Sequence, residues 1–458
     1  MKKLALALTI ILALALPSVA FADVTSYTSG FQLQNLEGTV ANITIHFINQ
    51  ADGLEAANVT DTIPANSSKT YYPLSAVAAG FNGSVVVDSD KQLAAITNVL
   101  GNSGAYGSSY VGFTAGATTI NVPLVMKNNY GINTWLNVQN TGTANTDVTI
   151  DYGGGCTDSV TGLKPGAAHT FDQATTACLT PTPYAGAATV TSSGSVPVAV
   201  TVIQVTGSSA GLLPSLLAYN GFTTASTAPA MPLVTSGYYN SGTGIQIMNT
   251  GGTNTDVTLT YTPSAGFPGA TCTETKTILA GKSTTFGFPS LPAGCYTNGG
   301  GAGSAAFVGS AKVTTNTASH PLVAVVNQVT TGASTAAAYG AIDPSVATAN
   351  VSLPLIMDRN FGIFTGFAVA NVGTLSTNIA CTFSGAGAPP NIPSTAVAPG
   401  AALTATQLNQ ATVVPYVGSA TCTATGGDAK IAAVVNELNT GSAIPTEDGL
   451  SVYEGLNY

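Results

Sequence analysis

The three histidines are the side chains of this sequence best suited to acid–base catalysis or metal binding. His46 lies on the polar face of an alternating apolar segment, His169 follows a Pro-Gly turn, and His320 directly precedes a proline. A zinc site or a Ser-His-Asp triad requires histidines to converge with partner residues in a recognisable spacing. These three stand far apart without such partners, so we expect no metal site and no catalytic histidine.

Two recurring carboxylates, Asp147 and Asp256, are the natural candidates for the acid–base pair of a glycoside hydrolase. Asn42 and Asn378 occupy the same position in two further copies of the surrounding motif, so a negative charge is not required there. Because each acid follows a turn, we expect it to accept hydrogen bonds from nearby groups. The glycine-rich residues 299–303 lack the Lys-Ser/Thr of a phosphate-binding loop. The sequence therefore predicts a protein that is not an enzyme and has no cofactor.

The cysteines follow one another in sequential pairs, and none precedes Cys156. The pairs are Cys156 with Cys178, Cys272 with Cys295, and Cys381 with Cys422. An even number of cysteines without Cys-x-x-Cys spacing is typical of disulfides formed in an oxidising compartment rather than of a metal site. We predict three disulfides, each confined to one of the repeats described below.

Aromatic residues in loops are the remaining candidates for ligand contact. Trp135 stands where the other copies of its motif have glycine, so the shared core does not require an indole there. The others precede the same strand in successive copies: Tyr130, Tyr238, Tyr239, Phe361 and Phe364. Such rings can pad the junction between consecutive domains, associate with a second copy of the chain, or stack on glycans. Padding is the favoured interpretation, and the other two stay open.

The N-terminal residues have the pattern of a secretory signal peptide. A Lys-Lys start precedes the apolar residues 4–16, and a small-x-small cleavage pattern ends at Ala22. The apolar stretch is too short to span a bilayer as a helix. We predict cleavage after Ala22 and a mature chain that starts at Asp23, is secreted to the cell surface, and has no transmembrane segment.

Charged residues are scarce in this chain. They make up 7% of it, whereas about 25% is usual in soluble domains. The net charge of −9 argues against a nucleic-acid partner, because nucleic acids are bound through basic patches. A surface with so few charges repels its own copies weakly. The composition therefore favours self-association or packing against other cell-surface components.

One module is written four times along the chain. The last three copies open with Pro-Leu, at Pro123, Pro232 and Pro354. A strand that ends in Asn-x-Gly follows at Asn140, Asn249 and Asn371, with a looser version at Asn35. In the next strand Val148, Ile150 and Tyr152 alternate with polar residues, which predicts a half-buried β-strand. Each copy then has a turn, which is Pro-Gly in two copies. A strand of the Gly-Ser-Ala type follows as the first strand of a hairpin, and we call it the arm. A closing strand carries a tyrosine, at Tyr110, Tyr219, Tyr339 and Tyr453.

Short strands, frequent turn signals and no sustained helical period predict an all-β fold. We expect a tandem array of four Greek-key β-sandwich domains after the signal peptide. The predicted limits are 1–22 for the signal peptide and 23–119, 120–228, 229–349 and 350–458 for the domains. A sandwich is favoured over a barrel because Cys381 and Cys422 take two inward positions, where a bridge would join facing strands through the core. The short links between modules predict a semi-rigid rod.

The strand order, the Asn-x-Gly turn, the Pro-Gly turn and the Gly-Ser-Ala strand resemble the immunoglobulin-like repeats of bacterial secreted surface proteins, most closely the cell-adhesion-related type. The resemblance covers nearly all of the mature chain. It implies an immunoglobulin-like fold and a cell-surface setting, and it brings no catalytic residue. We therefore expect an extracellular structural protein, such as a subunit of a surface layer, sheath or fibre. The alternative is an adhesin or carbohydrate-binding protein that uses the loop aromatics.

Overall fold

The computed structural model describes residues 26–102, 105–206, 215–297, 306–317, 319–330, 335–439 and 449–458. This part of the chain is all-β and forms eight antiparallel sheets, as β-sandwich domains do. Two short 3-10 turns, Tyr238–Asn240 and Ala293–Cys295, interrupt the connections. Within these ranges the chain contains no apolar helix of membrane-spanning length. The predicted cleavage site at Ala22 lies outside the described residues.

The strands fall into four consecutive sets, and no sheet of the described residues combines strands from different sets. Set 1 contains β1 (Tyr27–Asn35), β2 (Ala41–Asn49), β3 (Glu55–Ile63), β4 (Ser68–Tyr71), β5 (Gly83–Ser89), β6 (Leu93–Gly101) and β7 (Tyr106–Val111). Set 2 contains β8 (Thr119–Lys127), β9 (Ile132–Asn140), β10 (Thr146–Gly153), β11 (Cys156–Leu163), β12 (Ala168–Asp172), β13 (Tyr184–Ser192), β14 (Val198–Thr206) and β15 (Leu216–Asn220).

The other two sets follow the same pattern. Set 3 contains β16 (Ala230–Ser236), β17 (Ser241–Asn249), β18 (Thr255–Pro263), β19 (Cys272–Ile278), β20 (Ser283–Phe286), β21 (Phe307–Thr315), β22 (Leu322–Thr330) and β23 (Ala336–Gly340). Set 4 contains β24 (Asn350–Asp358), β25 (Ile363–Asn371), β26 (Thr377–Ser384), β27 (Ile392–Val397), β28 (Ala402–Thr406), β29 (Tyr416–Thr425), β30 (Ile431–Asn439), β31 (Leu450–Glu454) and β32 (Leu456–Asn457).

Each set forms two sheets with a recurring strand order. Sheet I has the order β11-β10-β13-β8 in set 2, β19-β18-β21-β16 in set 3 and β27-β26-β29-β24-β32 in set 4. Sheet II has the orders β12-β9-β14-β15, β20-β17-β22-β23 and β28-β25-β30-β31. In set 1 sheet II is β4-β1-β6-β7, but sheet I is only β3-β2-β5. The described part of set 1 therefore has no counterpart of β8, β16 and β24, which we call the opening strands.

The alternation predicted for the third strand of each repeat is confirmed. Along β10, Val148, Ile150 and Tyr152 are buried, while Asp147, Thr149 and Asp151 are exposed. The buried residues pack against apolar residues of sheet II such as Leu136 and Val138. Each set thus contains apolar residues between its two sheets.

The sets are arranged in a ring and not, as predicted, in a rod. The last long strands of sheet II, β7, β15, β23 and β31, contact one another in cyclic order, so that set 4 lies beside set 1. The prediction failed because links of a few residues limit the distance between neighbouring domains but not the angle between them. Ring closure depends on the complementarity of surfaces far apart in sequence.

Each opening strand also lies against sheet II of the following set, with set 4 followed by set 1. As a result, outward-facing residues of β1, β17 and β25 are buried, among them Gln34, Met248 and Ala368. The apolar cluster around β18 and β21 extends to Ala370 and Val434 of set 4. Neighbouring sets therefore share buried surface, in addition to the apolar interior that each set has between its own two sheets.

All three predicted disulfides are present, and no cysteine of the described residues is free. Cys156–Cys178 and Cys272–Cys295 tie the start of β11 and of β19 to the later connections of their sets. Cys381 and Cys422 are direct cross-strand partners on β26 and β29, and both are buried. Their bridge therefore joins neighbouring strands of one sheet. The prediction that it crosses the core between facing strands was wrong, since inward orientation does not tell which sheet carries a strand.

Candidate functional site

Trp135 lies at the boundary between sets 1 and 2. Its ring meets Tyr27 of set 1 edge-on, with 5.8 Å between ring centroids. The indole also packs on a small apolar cluster that contains Tyr106 and Ile203. This position matches the padding of a domain junction, the interpretation favoured for Trp135.

Tyr130 and Phe361 occupy equivalent turns in sets 2 and 4. Both have left-handed backbone conformations, with φ of 51° and 50°. Tyr130 is 65% exposed and meets Phe288 of set 3 at a centroid distance of 5.7 Å, whereas Phe361 is 87% exposed. Positive φ is uncommon for bulky residues and costs on the order of 1–3 kcal/mol. The fold therefore holds two aromatic rings outward at a cost in conformational free energy.

The other predicted aromatic residues do not join these two in one cluster. Tyr238 packs edge-on against Phe267 within set 3, at a centroid distance of 5.9 Å. Phe364 lies on β25 and is partly buried. The backbone of Tyr239 belongs to the 3-10 turn of set 3, and its side chain lies outside the described part of the structure. The aromatic candidates thus lie in three sets, with Trp135 and Phe364 on the strands β9 and β25 and the others in turns.

The histidines have local partners. His46 lies 2.6 Å from Glu55 and 3.2 Å from Asp88, and the hydrogen bond to Glu55 raises its pKa. His320 is buried with Nε2 2.7 Å from the side-chain oxygen of Asn249. The described residues contain no group of three His, Cys, Asp or Glu side chains that could hold a metal ion.

The recurring acids also have local partners. Asp147 accepts a hydrogen bond from the Gly162 amide at 2.8 Å. Asp256 accepts one from the Asn316 side-chain amide at 3.0 Å. Both bonds join the start of a strand to a neighbouring segment, which is the local role expected for them.

The asparagine of each Asn-x-Gly turn is a buried structural element whose role the motif alone did not reveal. Asn371 donates to the carbonyls of Leu375 at 2.9 Å and Val397 at 2.8 Å, and its oxygen accepts from the Gly373 amide at 3.0 Å. The equivalent residues Asn35, Asn140 and Asn249 make the same three kinds of bond. Each asparagine joins two turns at one end of its set.

Polar pairs connect the sets around the ring. Gln204 and Asn327 exchange two amide hydrogen bonds, of 3.1 and 2.7 Å, between sets 2 and 3. Gln328 and Asn436 repeat this exchange between sets 3 and 4. Sequence reasoning missed these pairs. The available signal was the recurrence of amide side chains at neighbouring positions of β14, β22 and β30.

A carboxylate replaces the glutamine at the boundary between sets 4 and 1. Glu437 is 3% exposed and accepts hydrogen bonds from Asn98 at 2.9 Å and Ser109 at 3.2 Å. Burial raises its pKa to about 7. At the boundary between sets 1 and 2 the pair is apolar, since Val99 and Ile203 pack in one cluster. Two boundaries thus have a Gln-Asn pair, one has a buried carboxylate and one is apolar, although the geometry recurs.

Comparison with known proteins does not identify the chain. No protein-family model and no curated protein matches it. Among solved structures, Escherichia coli alpha-2-macroglobulin activated by porcine elastase aligns over 94% of this chain and 41% of its own length, with 10% sequence identity and a TM-score of 0.10. The chain thus spans less than half of that protein, and a TM-score this low carries no argument about fold or function.

Proposed function

We propose that the protein is an extracellular structural component of a bacterial cell surface, a subunit of a layer, sheath or fibre without enzymatic activity. In this proposal each strand set is one immunoglobulin-like Greek-key sandwich, with the domain limits predicted above. The three disulfides support maturation in an oxidising compartment. The engagement of the recurring acids and of His46 and His320 in local bonds fits a structural role.

The proposal rests mainly on one observation: a protein with very few charges has an edge strand without any charged residue. Proteins usually protect exposed edge strands from pairing with charged residues, prolines or bulges. The edge strands β3, β11 and β19 of sheet I each contain charged residues, but β27 contains none, although it carries Pro393. Residues 393–396 of β27 are exposed. Pro393 and an irregular register with β26 protect part of this edge, but no charge protects it, and the exposed residues 394–396 favour contact with another copy of the chain.

Self-assembly of the mature chain, residues 23–458, tests the proposal. We expect sedimentation and electron microscopy over a concentration series, with and without calcium, to reveal ordered assemblies. Thr395→Lys, which places a charge on the edge strand β27, should reduce assembly. Thr149→Lys is the matched control, because Thr149 is exposed on β10 inside its sheet. A wild-type chain that stays monomeric throughout would refute the proposal.

A role in adhesion or carbohydrate binding is the second candidate, and the outward rings of Tyr130 and Phe361 favour it. Exposed aromatic rings stack on the apolar faces of sugars and of protein partners. A glycan array should then give signals that Phe361→Ala weakens. Trp135→Ala is the control, because that ring packs against Tyr27. An array without signals for the wild type would remove this candidate.

A further inference from the structure

The opening strand has two roles in sets 2, 3 and 4. In set 4 the side chains of Val351, Leu353 and Ile356 enter the core between the two sheets. On the opposite face, the Ser352 hydroxyl donates to the Gln34 side chain of set 1, and Gln32 donates to the Pro354 carbonyl. One strand thus completes its own core and covers the next set.

The opening strand is held from both sides. On one side it pairs with the arm of sheet I, as β24 does with β29. On the other side it pairs with the residue two positions after the last long strand of sheet II: Asn121 pairs with Phe222, Ala230 with Ile342, and Ser352 with Leu456. The closing tyrosine adds a hydrogen bond, since Tyr219 donates to Leu124 at 2.6 Å and Tyr339 to Leu233 at 2.5 Å. The strand therefore lies in a defined slot.

In set 1 the two sides of this slot, β5 and Phe113, are present, but no described residue lies between them. The strand β5 corresponds to β13, β21 and β29, and among the described residues it pairs only with β2. Its inward residue Val87 is partly exposed, whereas Val190 and Val313 at the equivalent place are fully buried. Val85 is also partly exposed, whereas its counterparts Ala188 and Ala311 are buried. Phe113, which corresponds to Phe222, is 37% exposed.

Sheet II of set 2 also lacks the cover that an opening strand of the preceding set gives to the other sets, since set 1 has no such strand among the described residues. Outward residues Asn137 and Gln139 of β9 in set 2 are partly exposed. Gln34 of β1, in the matching position of its set, is 2% exposed because β24 covers it. The gap therefore lies between sets 1 and 2 and is open toward both.

Set 1 differs from the other sets beside its closing tyrosine. Tyr219, Tyr339 and Tyr453 pair with valines on the neighbouring strand, but Tyr110 pairs with Thr97. Tyr110 is also only partly buried, whereas the other three tyrosines are buried. The surroundings of the closing tyrosine are therefore more polar and more open in set 1.

The chain before β1 accounts for the gap. Four residues separate the opening strand from the next strand in sets 2, 3 and 4. The same spacing before Tyr27 makes the missing strand end at Ala22, the predicted cleavage site. Its counterpart would be residues 14–22, which lie outside the described residues and within the predicted signal peptide, called the leader below. Removal of the leader would leave the slot without a strand.

We infer that the slot of set 1, between β5 and Phe113, is a docking site for an extended segment of another polypeptide, which enters as a donated strand. The inference rests on the proposed export of the chain, because leader removal empties the slot. The opening strands define the occupant: about nine residues, apolar at alternate inward positions, uncharged in the middle, and antiparallel to β5. Main-chain hydrogen bonds provide affinity in such strand addition, and pockets for alternate side chains provide specificity.

A peptide with the sequence of β24, Asn350–Asp358, tests the inference on the mature chain at a concentration where it is monomeric. We expect saturable binding of one peptide per chain. Hydrogen exchange of the β5 amides should slow by at least about tenfold, because their free edge becomes hydrogen-bonded. A control peptide with serine in place of Val351, Leu353 and Ile356 should not bind. No binding of the β24 peptide would overturn the inference, whatever the outcome of the assembly experiment.

Two neighbouring substitutions on β5 locate the binding. Val87→Asp, at an inward position, should abolish binding of the peptide. Val86→Asp should leave it unchanged, since Val86 is 44% exposed and faces outward. Exchange of the β1 and β6 amides reports whether set 1 stays folded in both variants. Equal loss of binding in the two variants would contradict the slot.

A version of the chain that carries the β24 sequence four residues before Tyr27 provides a test without inward substitutions. It should protect the β5 amides by itself and bind no added peptide. Three outcomes in the unmodified mature chain would overturn the inference. The β5 amides could be protected at every concentration, they could be protected only at high concentration, which assigns the slot to a second copy, or mass spectrometry could find residues 14–22 retained in the slot.

Discussion

Set 1 and set 4 are built from the same parts, but only set 4 is closed. Both have the buried asparagine that joins two turns, the alternating third strand and the closing tyrosine. Set 4 adds the opening strand β24 and the Cys381–Cys422 bridge, both of which support the arm β29. In set 1 the equivalent arm β5 has one neighbouring strand among the described residues. The comparison teaches that the opening strand, more than the turn motifs, determines how completely a set buries its core.

Disulfide removal should give the largest effect and narrow the difference between the sets, because it loosens set 4. Replacing Cys381 and Cys422 with alanine opens a loop with a sequence separation of 41 residues, which is worth about 4 kcal/mol in the loop-entropy model. Hydrogen exchange of β26 and β29 should quicken accordingly, while β1 and β6 of set 1 keep their rates. Equal acceleration in set 1 would mean that the ring unfolds as one unit.

The boundary between these two sets should depend on pH. The pKa of Glu437 is about 7 in the folded chain, above its usual value of 4.5, because the carboxyl is buried. Between these values the folded state keeps a proton that the unfolded state has lost. The free energy of unfolding should therefore fall by about 3 kcal/mol from pH 4.5 to 7 and level off above. Urea unfolding or exchange at β30 over this range measures the fall.

Reciprocal substitutions sharpen this test. Glu437→Gln gives the boundary the glutamine found at Gln328, and it should remove the contribution of Glu437 to the pH dependence. A contribution of similar size should remain from Glu454, whose pKa burial also raises to about 7. Gln328→Glu should introduce a similar dependence between sets 3 and 4. An unchanged pH profile in Glu437→Gln would show that Glu437 is not its source.

The asparagine of the Asn-x-Gly turn should matter equally in both sets. Asn371→Ala leaves two carbonyls and one amide without their partner and should cost between about 2 and 3 kcal/mol. Asn35→Ala removes the corresponding bonds in set 1 and should cost the same. Local exchange in each set measures both losses. A much smaller loss in set 1 would mean that its open core already loosens these turns.

Removal of the hydroxyl of the closing tyrosine should give the smallest effect. The size of this effect should differ between sets that have an opening strand and set 1. Tyr339→Phe removes the hydroxyl bond to the opening strand and should cost about 1 kcal/mol. Tyr110→Phe removes a hydroxyl in a set whose described residues include no opening strand, and it should cost less. Exchange at β16 in the first variant and β6 in the second checks these values. Equal costs would remove this distinction between the sets.

The strands and disulfides could be read from sequence because they follow local patterns. Alternation along β10 and the spacing of Cys156 and Cys178 depend on residues close together in the chain. The aromatic candidates were predicted to lie in loops, but Trp135 and Phe364 lie on strands, and nothing in the spacing said which partner each ring would meet. Trp135 meets a ring from another set, while Phe361 is 87% exposed.

By itself, the sequence determined an all-β chain with a repeated strand pattern, its turn residues and its cysteine pairs, since each depends on side-chain alternation and short-range geometry. Only the tertiary structure decided that the sets close into a ring, that Cys381 and Cys422 share a sheet, and that the arm β5 of set 1 pairs with a single strand among the described residues. These features depend on which outward face is covered by a distant segment. Gln34 and Asn137 face outward on equivalent kinds of strand, yet only Gln34 is covered.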